Sequence, residues 1–185
     1  MAVPPRASAD SPFGDARAAQ LAPLIEPTVT AHGLYLEELT LTGSSARTVL
    51  RVSVDYETGT ENVDLDTLGG LSEALSAVLD RYDDAEPLAS LEQYELEIST
   101  PGATRPLTEP RHYRRNIGRL LEIERTGAAP MNGRLKAVDD FGITVAEIKP
   151  PPKKGMKPKV GPDTHLEFEF ITRARVQVEF SHQEQ

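Results

Sequence analysis

The stretch Tyr94-Glu-Leu-Glu-Ile-Ser-Thr-Pro-Gly-Ala-Thr-Arg-Pro-Leu107 marks the point at which the pattern of the sequence changes. It begins as a strand, because Tyr94, Leu96 and Ile98 alternate with polar residues and therefore share one face. It ends on two prolines and a glycine, which interrupt regular structure. We therefore predict an interdomain linker at residues 100–110. Four residues define its geometry: Ser99, Pro101, Gly102 and Pro106.

The linker has two compatible interpretations. Pro101-Gly102 favours a turn with positive φ at the glycine, and Pro106 restricts Arg105 to extended geometry. One interpretation is a rigid connection that fixes the angle between two domains. The other adds Arg105 as an oriented guanidinium for an RNA phosphate or a carboxylate.

Upstream of the linker, residues 15–104 combine helical and strand periodicity. The adjacent Glu37 and Glu38 shift the first strand's alternation as a β-bulge would, and Asp64 is placed to cap a second helix. The predicted order is α-β-β-α-β, a three-stranded sheet covered on one face by two helices. The helices are predicted at 15–32 and from 65 onward, and the strands at 34–41, 50–55 and 94–99.

The second predicted helix carries one apolar stripe, made of Leu65, Leu68, Leu71, Leu75, Val78, Leu79 and Tyr82. Gly69 and Gly70 interrupt this helix and lower its stability. We expect close packing of the two glycines against the sheet as the compensation.

Downstream of the linker, residues 105–181 lose the helical period. Five short strands suggest a small closed β-barrel, since closure removes exposed edges. Prolines remove hydrogen-bond donors and neighbouring lysines repel one another, so residues 149–162 are predicted to form a mobile basic loop without a strand. The strands are predicted at 121–123, 135–137, 143–145, 166–170 and 176–180, with turns at 127–132, 139–142 and 172–174.

The sequence lacks the residues that most enzymatic chemistry needs. There is no cysteine, which excludes disulfides, zinc-thiolate sites and thiol nucleophiles. The four histidines share no metal-ligand spacing, and the motifs of phosphate loops, nucleophile elbows and zinc hydrolases are absent. We therefore predict a protein that acts by binding, without catalysis and without a cofactor.

The composition also bears on location. No apolar run approaches the roughly 20 residues of a membrane span. Residues 1–14 are rich in Pro, Ala, Ser and Asp and lack the basic start and apolar middle of a secretory signal. We predict that they form a disordered leader and that the protein is cytoplasmic.

The net charge of −9 is unevenly distributed. Residues 1–104 carry 18 acidic and 5 basic side chains, whereas residues 105–185 carry 15 basic and 11 acidic ones. This asymmetry indicates two surfaces for different partners, although an acidic surface also aids solubility by itself. The candidate partner-binding residues are Asp55, Asp64, Asp66, Arg105, Arg111, Arg114, Arg115, Arg119, Lys153, Lys154, Lys157 and Lys159.

The basic candidates include a compact run, Arg111-His-Tyr-Arg-Arg-Asn116, followed by Arg119. Its arginines can hold phosphates while the aromatic ring of Tyr113 stacks on a base. The alternative is a solvated basic face beside a buried Tyr113. The sequence leaves both open.

Several of these stretches resemble the bacterial ribosome maturation factor RimP family. Residues 94–107 are similar to the family's Y-x-L-E-V-S-S-P-G-x-x-R-P-L stretch, with Thr100 in place of the usual serine. Residues 50–55, followed by Asp64-Leu-Asp66, resemble its strand-then-helix element, and Gly133-Arg-Leu135 resembles its barrel turn. The resemblance runs from about residue 21 to residue 180.

This resemblance implies an α+β chain whose second domain is an Sm-like or SH3-like β-barrel. It also implies a factor that binds the small (30S) ribosomal subunit late in assembly, near a ribosomal protein at the decoding side. Ribosomal proteins are basic and suit the acidic domain, while 16S rRNA suits the basic domain. The opposite arrangement, in which the barrel docks the ribosomal protein, stays open, and we expect a monomer.

A function of another class also stays open. A small Sm-like regulator would bind free single-stranded RNA and use the first domain for oligomerisation. Such proteins stack bases on aromatic side chains. Aromatic residues make up only 5% of this chain, with no tryptophan, which favours the assembly factor.

Overall fold

The structure is a computed structural model that describes residues 16–44 and 46–179. Within this range the chain is α+β, as predicted. It divides into two compact units: the first comprises residues 16–57 and 61–101, and the second comprises residues 58–60 and those from 102 onward. The predicted leader, residues 1–14, and the end of the last predicted strand lie outside the described residues.

The first unit contains two helices and three strands in the predicted order. They are α1 (Ala16–Ala31), β1 (Tyr35–Ser44), β2 (Arg47–Asp55), α2 (Leu65–Asp80) and β3 (Tyr94–Ser99). β1 and β2 are antiparallel, while β3 pairs in parallel with β2, because the α2 crossover returns the chain to the same end of the sheet. The register shift between Leu36 and Glu38 confirms the predicted bulge.

The core of this unit lies between the two helices and the sheet. Leu71, Leu75 and Leu79 of α2 are fully buried, and the burial of each side chain stabilises the fold by roughly 1.5–3 kcal/mol. The predicted apolar stripe was wrong at its two ends, since neither residue is buried. Leu65 is 84% exposed and Tyr82 is 40% exposed. At about 100° per residue Leu65 lies roughly 120° away from Leu71, and α2 ends before Tyr82.

The packing expected for the two helical glycines was also wrong. Gly69 and Gly70 are exposed, and a Cβ atom at either position would meet nothing within 4 Å. They lie on the solvent side of α2, and the structure offers no packing reason for them.

Asp64 caps α2 as predicted. Its carboxylate accepts a hydrogen bond of 2.7 Å from the backbone N–H of Thr67. This hydrogen bond lowers the pKa of Asp64 below its ordinary value. The carboxylate form therefore stabilises the folded chain above the unfolded pKa, and the stabilisation is lost as the pH falls through the lowered pKa.

We expect Asp64→Ala to lower the Tm at neutral pH by a few degrees, because α2 loses its side-chain cap. Asp64→Asn should lose less, since asparagine is also a good cap. Asp66→Ala removes the same charge without touching the cap and serves as the control. Circular dichroism melts at pH 7 and below about pH 3 check this, since the alanine effect should shrink in acid. An effect that is unchanged in acid would contradict it.

The second unit consists of one short helix and five strands. They are α3 (Pro110–Arg114), β4 (Leu120–Arg125), β5 (Ala128–Val138), β6 (Gly142–Lys149), β7 (Lys159–Glu167) and β8 (Ile171–Val176). The antiparallel sheet has the order β7-β6-β5-β4-β8. Four strands thus follow one another as a meander, and the fifth returns to the first, as in a small barrel. Within the described range no ladder joins β7 to β8, and a three-residue turn connects them.

The boundaries of the last strands differ from the prediction. The predicted strand 166–170 ends at Glu167, and Phe168–Phe170 forms a 3₁₀ turn. Phe168 is buried with its ring 5.4 Å from that of Tyr113, so its apolar character anchors a turn to the core. The predicted turn at 172–174 lies within β8, and β8 ends where the last strand was predicted to begin. β5 likewise begins at Ala128, inside the predicted turn 127–132.

The basic loop is shorter than predicted. β6 continues to Lys149 and β7 begins at Lys159, with these two residues paired across the hairpin. The statement that 149–162 holds no strand was therefore wrong. Pro162 is tolerated because β7 is an edge strand, which needs to donate on one side only.

Candidate functional site

The acidic candidates lie on the first unit at the end of β2 and the start of α2. Asp55 is half-buried and accepts a hydrogen bond of 2.9 Å from the backbone N–H of Tyr56. Asp64 is exposed and occupied by its cap, whereas Asp66 is exposed in the first turn of α2. Two of the three carboxylates therefore already serve the local backbone.

The arginine run lies on α3 and the turn after it. His112 is buried, and its Nδ1 accepts hydrogen bonds from the backbone N–H groups of Thr108 (3.1 Å) and Glu109 (3.2 Å). The Arg111 side chain is 14% exposed and lies 3.0 Å from the Glu109 carboxylate. These residues hold the helix in place.

Tyr113 decides between the two interpretations of this run. It is 3% exposed, its hydroxyl donates to the Leu107 carbonyl at 3.3 Å, and burial raises its pKa. A ring in this position cannot stack on a base. The structure therefore shows the second alternative, a basic face beside a buried tyrosine.

The remaining arginines differ in exposure. Arg114 and Arg119 are exposed, with Arg114 3.7 Å from the Asp140 carboxylate. Arg105 and Arg115 are half-buried. The run thus presents Arg114 and Arg119 most openly.

The lysine candidates form the tip of the β6–β7 hairpin. Lys153, Lys154 and Lys157 lie in the loop and Lys159 starts β7, and all four are exposed. Within the described part of the chain, none of them has a carboxylate within 4 Å. A local turn closes with a hydrogen bond of 3.2 Å from the Met156 N–H to the Lys153 carbonyl. This tip is a basic projection suited to phosphates.

Other charged residues are paired within each unit. Arg51 lies 3.1 Å from Glu97 on the open face of the first sheet. In the second unit, Arg134 makes two hydrogen bonds of 2.8 Å to Glu179, and Arg175 lies 3.1 Å from Glu122. These pairs leave less charge for partners than the sequence count indicates.

The linker residues lie between β3 and α3. Ser99 ends β3, and Pro101 and Gly102 follow as irregular chain. The positive φ predicted for Gly102 is wrong, because the turn there closes from Arg105 N–H to the Gly102 carbonyl and Gly102 is its first residue. Pro106 forms an isolated bridge with Arg175, so β8 pairs with the end of the linker.

Sequence reasoning missed a groove on the first unit. It has a volume of about 860 Å³ and lies beside the start of β3. Its lining includes Asp80, Asp83 and Glu92, none of which was singled out. The lining joins residues 46–48 to residues 76–96, which are distant in the sequence, so only the fold brings these two segments together.

The comparisons with known proteins bear on the first unit most directly. The family model described as the RimP N-terminal domain matches residues 24–104. The resemblance to the RimP family is therefore confirmed. Two relatives described as "Ribosome maturation factor RimP" come from Parafrankia sp. and Frankia casuarinae. They are 35% identical over 90% of this chain and 38% identical over 80% of it.

The chain spans a little over half the length of these RimP relatives, 58% and 54% respectively. The matched RimP domain ends at residue 104, inside the predicted linker. The 94–107 stretch that resembles RimP therefore crosses the end of that domain.

Two classes of site were sought among the described residues. No group of three or more histidines, aspartates and glutamates there is arranged to hold a metal ion. No described helix combines the length and the apolar character needed to cross a bilayer.

Proposed function

We propose that the chain assists late maturation of the small (30S) ribosomal subunit by binding to it transiently. The observation that carries this proposal is the match of residues 24–104 to the RimP N-terminal domain, with relatives that are ribosome maturation factors by description. On this proposal the protein acts in the cytoplasm as a monomer, by binding alone and without a cofactor.

The proposed division of labour follows the charges. The acidic first unit contacts a basic ribosomal protein at the decoding side, and the basic surface of the second unit contacts 16S rRNA. Support comes from the exposed lysines of the β6–β7 tip and from Arg114 and Arg119, which face solvent. Such side chains neutralise phosphates and release counterions.

The rival assignment gives the ribosomal protein to the barrel. β7 and β8 are the edge strands of the sheet, and an edge strand can pair with an added peptide strand.

A retention assay tests the partner class. The full chain is immobilised and incubated with ribosomal proteins extracted from small and large subunits. We expect selective retention of a small-subunit protein, and equal retention from both subunits would overturn the proposal.

We also expect the two units to fold independently. Residues 17–104 and 105–185, expressed separately, should each show a cooperative melt, because each has its own buried core. Failure of both fragments to melt cooperatively would show that the boundary is wrong. If they fold, the same retention assay separates the two assignments, since only residues 17–104 should retain the ribosomal protein.

The alternative function, binding of free single-stranded RNA, has one specific observation in its favour. Phe141 and Phe170 are 68% and 51% exposed on turns of the barrel, where bases can stack on them. Asp140 and Glu169 stand next to them in the sequence, however, and repel phosphates. Gel shifts with oligouridine should therefore show only weak binding, and submicromolar binding would favour the alternative.

A further inference from the structure

We propose that the first unit holds a groove for an extended basic segment of a partner protein, in which an apolar side chain lies between lysines or arginines. The inference rests on the proposed function to the extent that basic ribosomal proteins supply such segments. The groove, about 860 Å³ in volume, is lined by the start of β2 and β3, the end of α2 and the 3₁₀ turn Leu88–Ser90.

The floor of the groove is apolar and rigid. Leu79 is fully buried and Leu88 is 3% exposed, so both belong to the core of the unit. Leu91 and Leu96 are half-buried and pack against that core. An apolar side chain of the partner placed here would extend this core. Such a buried side chain is the usual anchor of a peptide interface.

The rim of the groove is acidic. Asp80, Asp83, Glu92 and Glu95 line it, and Arg47 is the single basic residue among its lining side chains. Arg47 lies 3.4 Å from Glu95 and offsets that charge. In the described part of the chain, the other three carboxylates have no basic nitrogen within 4 Å.

The pKa of Tyr94 shows that the inside of the groove is also electrostatically negative. Its hydroxyl donates to the Asp83 carboxylate at 3.3 Å. Burial, followed by the carboxylates of Asp83 and Asp80, raises the pKa of Tyr94 to about 12. A negative charge on the Tyr94 hydroxyl, added to those of Asp83 and Asp80, is therefore strongly disfavoured.

The helix adds to the preference for a cation. α2 ends at Asp80, and its last turn contains no basic side chain. The carbonyl end of a helix carries a partial negative charge, which favours lysine or arginine close by. Arg81 follows at the cap, but its side chain does not line the groove.

The edge of the sheet explains why the segment should be extended. β3 is last in the order β1-β2-β3, and within the described residues its outer edge pairs with no strand. Tyr94 and Leu96 of this strand line the groove. A segment that lies in the groove can therefore add main-chain hydrogen bonds along β3.

The test uses the full chain labelled with ¹⁵N and a synthetic peptide with three arginines and one central leucine in a glycine–serine background. Chemical shifts should change at residues 79–96, and the Kd should rise about tenfold in Asp80→Lys/Asp83→Lys. Glu57→Lys/Glu73→Lys makes the same change in net charge on exposed residues away from the groove and should have little effect. A peptide with glutamates in place of the arginines should not bind.

Shift changes elsewhere, or equal losses in the two double variants, would overturn the groove. The α-helical circular dichroism signal and the Tm of both variants show whether each is folded, and Asp80→Asn/Asp83→Asn gives a milder second test. Cosedimentation with small subunits is measured in parallel. If the unchanged chain binds small subunits but does not bind the peptide, only the proposed groove is overturned. Peptide binding in the groove without subunit binding overturns only the proposed function.

Discussion

Replacing Gly142 with alanine is expected to destabilise the second unit by roughly 1–3 kcal/mol, the usual cost when overpacking forces the backbone to move. Gly142 is buried at the start of β6. A Cβ atom there would contact the Leu166 carbonyl oxygen and lie 2.8 Å from the Glu167 Cα atom. Both neighbours are backbone atoms of β7, so the β6–β7 pair must separate locally to make room.

Urea unfolding followed by circular dichroism measures this effect. Gly102→Ala is the matched control, because a Cβ atom at Gly102 meets nothing within 4 Å and its φ is not positive. The control should stay within about 0.5 kcal/mol of the parent chain. Equal changes at the two glycines would contradict the close approach of β6 and β7.

Replacing Lys153, Lys154 and Lys157 together by alanine is expected to weaken small-subunit binding most at low salt. Each neutralised phosphate contributes roughly 0.7–0.9 to the slope of log K against log salt. If all three lysines contact phosphates, the slope falls by about 2–3. The three side chains are exposed at one hairpin tip, which favours simultaneous contact.

The control removes three positive charges elsewhere, through Arg81→Ala, Lys136→Ala and Arg173→Ala, all at exposed residues. Filter binding of purified small subunits across a salt series gives the slopes. Arg114→Ala/Arg115→Ala tests the arginine run on α3 and the turn after it. The expected change in the salt slope is smaller, because Arg115 is half-buried. Identical slopes for the lysine variant and its control would show that the tip does not bind rRNA.

The sequence was sufficient for the architecture because local patterns and tertiary packing agree in most elements. The cap at Asp64, the bulge at Glu37 and the strand Tyr94–Ser99 each follow from a short-range rule. The error at the end of β7 comes from tertiary packing, which no local pattern reveals. Phe168 looks like one member of an alternating strand, but it fills the space beside Tyr113 and ends β7.

The candidate sites were harder to predict than the fold. Charge counts located an acidic and a basic half, but they do not distinguish a free side chain from one that pairs locally. Asp64 and Arg111 are held by local contacts, whereas the hairpin lysines extend into solvent. The groove beside β3 joins residues 46–48 to residues 76–96, and no periodicity within either segment reveals that they meet.

Sedimentation of cell extract is the most direct test of the claim that the chain acts on the assembling small subunit. The full chain, detected by immunoblot across a sucrose gradient, should peak with free small subunits and be depleted from assembled ribosomes and polysomes. Raising the salt in the gradient should release it, since phosphate contacts are salt-dependent. An even distribution over all ribosomal fractions, or none on small subunits at low salt, would contradict the account.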